Sequence, residues 1–283
     1  MNNNLTSTMT VGMGITGYGI TTPSITCPNP GHWTWIPAPI PIWKKVKPKS
    51  KRRASMKRRR KVVKNKGQKE TYITLVLDRS SSMCNCYQAA LDAINEQIET
   101  IKSNAHKGGK TYVSLIIFDH EVEVIFENEP AEDLEHLTKE EYVLRGSTAL
   151  RDAVMGAIDL MEEHENDDKN QGFLVVLISD GQENSSGVSR EELQSRIEEA
   201  NGSNRWTFTY MLDGHNWEQV REWAITYQTP FGNMCSYTAD VAGTARAGVA
   251  MSGAVSNYMN IREEGKTESK TFYNTGTGEE SKV

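Results

Sequence analysis

Three short, unbroken runs of β-branched and large apolar residues constrain the fold most: Thr71–Asp78 (TYITLVLD), Thr111–Asp119 (TYVSLIIFD) and Phe173–Ser179 (FLVVLIS). Runs of this kind mark strands buried on both faces. Helical spacing fills the intervals. Cys86–Ser103 places Ala90, Ile94, Ile98 and Ile101 on one stripe, and Leu150–His164 is helical. Further on, Ser189–Ala200 opens with Ser189-Arg190-Glu191-Glu192, a capping-box pattern. Trp206–Leu212 reads as a strand, Trp217–Tyr227 as a helix and Asn233–Tyr237 as a short strand. Asp240–Met259 is a long helix, with Val241, Ala245, Val249, Ser252 and Val255 expected on one face. Glu121–Glu127 alternates acid and apolar residues, as a half-buried edge strand does, and Asp119-His120 joins it to the preceding strand as a tight hairpin.

Strands alternating with helices imply an α/β, doubly wound, mostly parallel and Rossmann-like sheet, here with one antiparallel edge strand. Such sheets bind ligands outside the carboxyl ends of their strands. Three loops at that end carry oxygen-bearing side chains. Asp78-Arg79-Ser80-Ser81-Ser82 follows the first strand, Gly146-Ser147-Thr148 precedes the helix at Leu150, and Asp180-Gly181 follows Ser179. Two carboxylates at neighbouring strand ends repel unless something neutralises them. Ser80, Ser82 and Thr148 add neutral hydroxyls. Hard oxygens around two carboxylates suit Mg²⁺, Mn²⁺ or Ca²⁺. The competing reading makes Asp78 and Asp180 loop acids that cap turns.

In order and spacing these segments resemble the von Willebrand factor A (VWA) domain family. Asp78 to Ser82 matches its DxSxS motif. Arg145-Gly146-Ser147-Thr148-Ala149-Leu150 resembles its threonine loop. Ser179-Asp180-Gly181-Gln182-Glu183-Asn184-Ser185-Ser186 resembles the (T/S)DGxENSS segment of bacterial and phage members. Ser81 stands where glycine is common. The resemblance implies a metal-ion-dependent adhesion site with Asp78, Ser80, Ser82, Thr148 and Asp180 as metal ligands. It implies Mg²⁺ (or Mn²⁺ or Ca²⁺) as cofactor and a protein partner that presents an acidic residue. The expected domain spans 70–260, with a disordered tail over 261–283.

The first 69 residues differ in kind. They hold 15 of the chain's 32 basic residues and none of its 37 acids, so they carry +15 against −20 for the rest. Residues 1–43 form a Gly/Thr-rich and then Pro/Trp-rich arm expected to be disordered. Gly12, Gly14 and Gly17 spell a dinucleotide-loop pattern, but prolines follow and no acid precedes Glu70. Residues 44–69 are a basic linker. Lys51, Arg52, Arg53, Lys57, Arg58, Arg59, Arg60 and Lys61 are its candidate nucleic-acid contacts. Trp33, Trp35 and Trp43 could stack on bases or dock in a partner's groove.

No apolar run is long enough for a transmembrane helix and no signal peptide is recognisable. With four cysteines in no paired-knuckle spacing, the expectation is a cytoplasmic chain in a bacterial or phage-infected cell, or a nuclear one if the host is eukaryotic. Cys84 and Cys86 are read as small half-buried residues beside the first loop, with a redox or soft-metal pair as the alternative. His120 and His215 accompany no nucleophile elbow, so no enzyme is expected. The leading function is divalent-metal-dependent protein binding. The alternative is a structural or nucleic-acid-associated protein whose basic arm binds nucleic acid while the VWA domain mediates assembly.

Overall fold

The structure is a computed structural model that describes residues 68–213 and 217–273. The arm over 1–43, most of the basic linker with all eight of its candidate contacts, Cys27 and His215 lie outside the described residues.

Each apolar run forms the strand it predicts. The elements are β1 (Glu70–Asp78), α1 (Tyr87–Asn104), β2 (Lys110–Phe118), β3 (Val122–Pro130), α2 (Leu150–Glu162), β4 (Gln171–Ile178), α3 (Arg190–Gly202), β5 (Trp206–Asp213), α4 (Trp217–Thr226), β6 (Met234–Tyr237) and α5 (Val241–Glu263). They build one sheet in the order β3-β2-β1-β4-β5-β6. All neighbours are parallel except β2 and β3, which form the expected antiparallel edge.

The period-2 alternation of a strand sends its side chains to two cores. Ile73, Leu75 and Leu77 of β1, with Leu174, Val176 and Ile178 of β4, meet α1 and α5 on one face. Tyr72 and Val76, with Phe173, Val175 and Leu177, meet α2, α3 and α4 on the other. β1 and β4 are therefore central strands, apolar on both sides. Their carboxyl ends lie together, with Leu77 opposite Ile178.

The face expected for α5 is corrected. Val241 and Val249 are 63% and 64% exposed, and Ala245 is exposed as well. The buried stripe is Gly243, Thr244, Ala247, Gly248, Met251, Ala254, Val255, Tyr258, Met259 and Arg262. Small residues win that face because α5 lies close on α1. A Cβ at Gly248 would stand 3.0 Å from the Ala93 Cβ. Gln97 of α1 donates to the Gly248 carbonyl at 3.1 Å and to Ser252 Oγ at 3.0 Å.

The expectation of a disordered tail from residue 261 is also corrected over its first part. α5 runs to Glu263, and the chain then packs against β5 and the turn before β6. Ser269 donates its amide to Thr207 Oγ1 at 2.9 Å, Phe272 donates to Asn233 Oδ1 at 2.9 Å, and the Phe272 ring is buried. Among the described residues no helix is long and apolar enough to cross a membrane.

Candidate metal site

β1 and β4 deliver their last residues to the same place, and hydrogen bonds lock the result. Asp78 is fully buried. Its Oδ1 accepts the Ser80 amide at 2.7 Å, and its Oδ2 accepts the Ser179 hydroxyl at 2.6 Å. Ser80 Oγ lies 3.0 Å from Ser82 Oγ, so the two hydroxyls stand side by side next to the carboxylate. Tyr142 donates its hydroxyl to the Asp78 carbonyl at 2.7 Å, and Tyr237 does the same for Ser179 at 3.1 Å. The turn that leaves Asp180 passes through Gly181 at φ 82°, a left-handed backbone suited to glycine.

The other two loops are bolted to this one. Ser81 donates its amide to the Gly146 carbonyl at 3.3 Å. Gly146 also has positive φ, and a Cβ there would stand 2.2 Å from His120 Nδ1. Thr148, 1% exposed, donates its amide to Asn184 Oδ1 at 2.8 Å. Its carbonyl accepts the amides of Asn184 and Ser185 at 3.0 and 3.1 Å. Asp78, Ser80, Ser82, Thr148 and Asp180 thus sit on three loops that hydrogen-bond to one another at the carboxyl edge of the sheet.

The electrostatics are unfavourable for two bare carboxylates. Burial and then the charge of Asp180 push the Asp78 carboxyl up to about 7, against the pull of its bonds from Ser179 and Ser80. Asp180 Oδ1 accepts the Gln182 amide at 3.1 Å, while its Oδ2 is buried without a hydrogen-bond partner. Buried oxygens rarely go unpaired, because the lost hydration costs about 1–3 kcal/mol or more. A hard cation beside that oxygen would satisfy it and neutralise the pair, so the donor set fits Mg²⁺, Mn²⁺ or Ca²⁺. Among the described residues no three His, Cys, Asp or Glu side chains converge on a metal position. The candidate donors here are two carboxylates with neutral hydroxyls beside them.

The sequence reading gave no role to several residues that build the site. Glu183 accepts the Ser185 and Ser186 amides at 3.2 and 3.0 Å and the Arg151 amide, at the start of α2, at 2.9 Å. Ser186 Oγ accepts the same Arg151 amide at 3.0 Å. Asp152 returns the contact by accepting the Gly187 and Val188 amides at 3.0 and 2.8 Å. The Glu183–Ser186 stretch therefore caps the helix that follows Thr148, and so fixes Thr148. Asp119, Arg79 and Arg145 form a second brace. Of the two cysteines beside the first loop, Cys84 is half-buried and Cys86 is buried. Cys86 is 1% exposed and burial pushes its thiol up to about 11, the opposite of thiolate activation.

Residues 73–182 match the model of the von Willebrand factor type A domain. No curated protein matches the chain by sequence. Solved structures match its fold. A von Willebrand factor type A protein from Catenulispora acidiphila is 14% identical, with 69% of this chain and 43% of that one covered and a TM-score of 0.47. The pilus adhesin SpaC from Lactobacillus rhamnosus GG, in its open conformation, is 10% identical over 68% of this chain and 31% of that one, with a TM-score of 0.50. Proximal thread matrix protein 1 of the mussel byssus is 15% identical over 67% and 46%, with a TM-score of 0.43. The match spans less than half the length of each of these proteins.

Proposed function

We propose that this chain, which carries a von Willebrand factor A-type domain, is a protein-binding module that captures an acidic side chain of its partner through a divalent cation. Asp78, Ser80, Ser82, Thr148 and Asp180 would hold the cation, directly or through water. The observation that carries the reading is a carboxylate pair: buried Asp78, pushed up to about 7, and half-buried Asp180, one of whose oxygens is buried without a partner. Such a pair is costly without a counter-charge.

A bound cation would supply an electrophilic position for a carboxylate oxygen from outside. The chain's own residues do the rest. Asp78 and Asp180 supply charge that roughly balances a dication, while neutral Ser80, Ser82 and Thr148 add no further negative charge to repel an incoming acid. Ser179, Tyr142 and Asn184 keep the ligand loops in place before any partner arrives. The reading includes no catalytic step. A pilus adhesin is among the proteins of similar fold, which accords with an interaction role.

The test is thermal unfolding of the whole chain with Mg²⁺ or Mn²⁺ against EDTA, repeated with Asp78→Ala. Cation at about 100 times its dissociation constant stabilises a domain by roughly 2.7 kcal/mol. A rise in melting temperature that Asp78→Ala abolishes supports the site. No rise at millimolar Mn²⁺ rejects it and turns attention to residues 44–69, whose nucleic-acid binding would be salt-sensitive and indifferent to EDTA.

A further inference from the structure

A buried carboxylate outside the family motifs ties two of the three loops together. Asp119 lies in the turn between β2 and β3 and is fully buried. Its Oδ2 accepts Arg79 Nε at 2.8 Å and Arg145 Nε at 2.6 Å. Its Oδ1 accepts the Glu121 amide at 2.8 Å and stands 2.9 Å from His120 Nδ1. Its carbonyl accepts the Ala149 amide, next to Thr148, at 2.7 Å.

The two arginines sit at telling places. Arg79 lies between Asp78 and Ser80, and Arg145 adjoins Gly146 at the head of the Thr148 loop. Arg79 Nη1 also reaches Glu123 at 2.7 Å, and Arg145 Nη2 reaches Glu121 at 3.0 Å. A guanidinium held at two points is fixed in orientation as well as in distance. The Arg145 amide donates to the Arg79 carbonyl at 3.0 Å and closes the brace.

We infer that Asp119 is a positioning residue for the cation: through Arg79 and Arg145 it sets the spacing of Ser80 and Ser82 against Thr148. The inference rests on the cation reading above. It has a consequence that a merely structural role lacks. Mg²⁺ requires near-ideal octahedral geometry at about 2.0–2.1 Å, whereas Ca²⁺ accepts looser arrangements at about 2.3–2.6 Å. Loosening the brace therefore weakens Mg²⁺ far more than Ca²⁺.

The experiment titrates Mg²⁺ and Ca²⁺ separately by calorimetry into the full chain, into Asp119→Asn and into Arg145→Gln. Circular dichroism in EDTA checks each fold. Partners of metal ligands typically contribute about 10–100-fold to affinity. The expected result is a loss of that size for Mg²⁺ and of at most about threefold for Ca²⁺. Equal losses for both ions in a folded variant, or an unchanged Mg²⁺ affinity, overturn the inference and leave the cation site standing. A parent chain that binds neither ion overturns the cation reading and this inference together. If Asp119→Asn does not fold, Arg145→Gln decides by the same two outcomes, since that side chain is 45% exposed.

Discussion

Ser179 donates its hydroxyl hydrogen to Asp78 Oδ2 at 2.6 Å and accepts the Gly181 amide at 3.0 Å, so one side chain both orients a buried carboxylate and shapes the turn that carries the second acid. Ser179→Ala removes both bonds inside a buried site. The expected cost is about 1–3 kcal/mol in EDTA, read by urea unfolding, together with weaker Mg²⁺ binding. Unchanged stability would show that the hydroxyl is dispensable.

Asp78→Asn separates stability from binding. Removing the charge of buried Asp78, which the half-buried Asp180 repels, should stabilise the metal-free domain near pH 8 by about 1–3 kcal/mol. The same change should abolish the Mg²⁺-dependent rise in melting temperature. A variant less stable than the parent in EDTA would contradict the repulsion between Asp78 and Asp180.

The pH dependence has a defined sign. The Asp78 carboxyl is raised from its ordinary 3.8 to about 7 in the folded chain. Between those values the folded state holds a proton that the unfolded state has lost. The stabilisation is full below the lower value and is lost as pH rises through the upper one. In EDTA the Asp78 contribution should therefore fall from about pH 4 to 7, and Asp78→Asn should flatten it. Mg²⁺ binding should run the other way and tighten as pH rises through about 7, because the proton competes with the cation. Melting curves across this range, with and without Mg²⁺, test both halves.

Glu183→Ala would free the Arg151 amide at the start of α2 and the Ser185 and Ser186 amides in the loop. Loss of a helix cap of this kind costs about 1–2 kcal/mol. Because Asn184 holds Thr148 from the same loop, Mg²⁺ affinity should fall as well. Asn184→Ala should lower affinity with a smaller effect on stability. Calorimetric titration and thermal unfolding of both variants separate the two effects.

Arg262 provides the control at the far end of the sheet. It is fully buried, and its guanidinium donates to Thr71 Oγ1 and to the carbonyls of Glu70, Asn170 and Lys266. Arg262→Leu removes all four of these bonds at a buried position and should cost about 3 kcal/mol or more. Cation affinity of the folded fraction should not change, since these contacts lie at the start of β1 and before β4. A parallel loss of Mg²⁺ binding would show that the two ends are coupled.

The features legible in the sequence were those written in consecutive residues. TYITLVLD and FLVVLIS announce central strands, and the acids at their ends mark the candidate site. What escaped was written in pairs far apart. Asp119 reads as a turn residue, and its two arginines lie 40 and 26 residues away. α5 departs from its sequence pattern for a different reason. Hydrophobic periodicity favours Val241 and Val249, but close contact with α1 rewards small residues, so Gly248 and Ala247 take the inside. The tail after Glu263 gives no periodic signal because it forms neither helix nor strand and is held at separate points, Ser269 by Thr207 and Asn233 and Phe272 by Asn233 and its buried ring.

The pairing of β1 with β4 also bears on how the domain reaches its native state. Asp78 and Ser179 are 101 residues apart, and the strands that carry them run parallel. No local segment can bring these groups together. The loop between them closes only when most of the sheet has formed, at an entropic cost met before the contacts repay it. On the proposed reading, a cation in a refolding buffer would find nothing to grip in the early ensemble. Its influence would fall on the exit path, slowing escape from the native basin while leaving the rate of entry nearly unchanged.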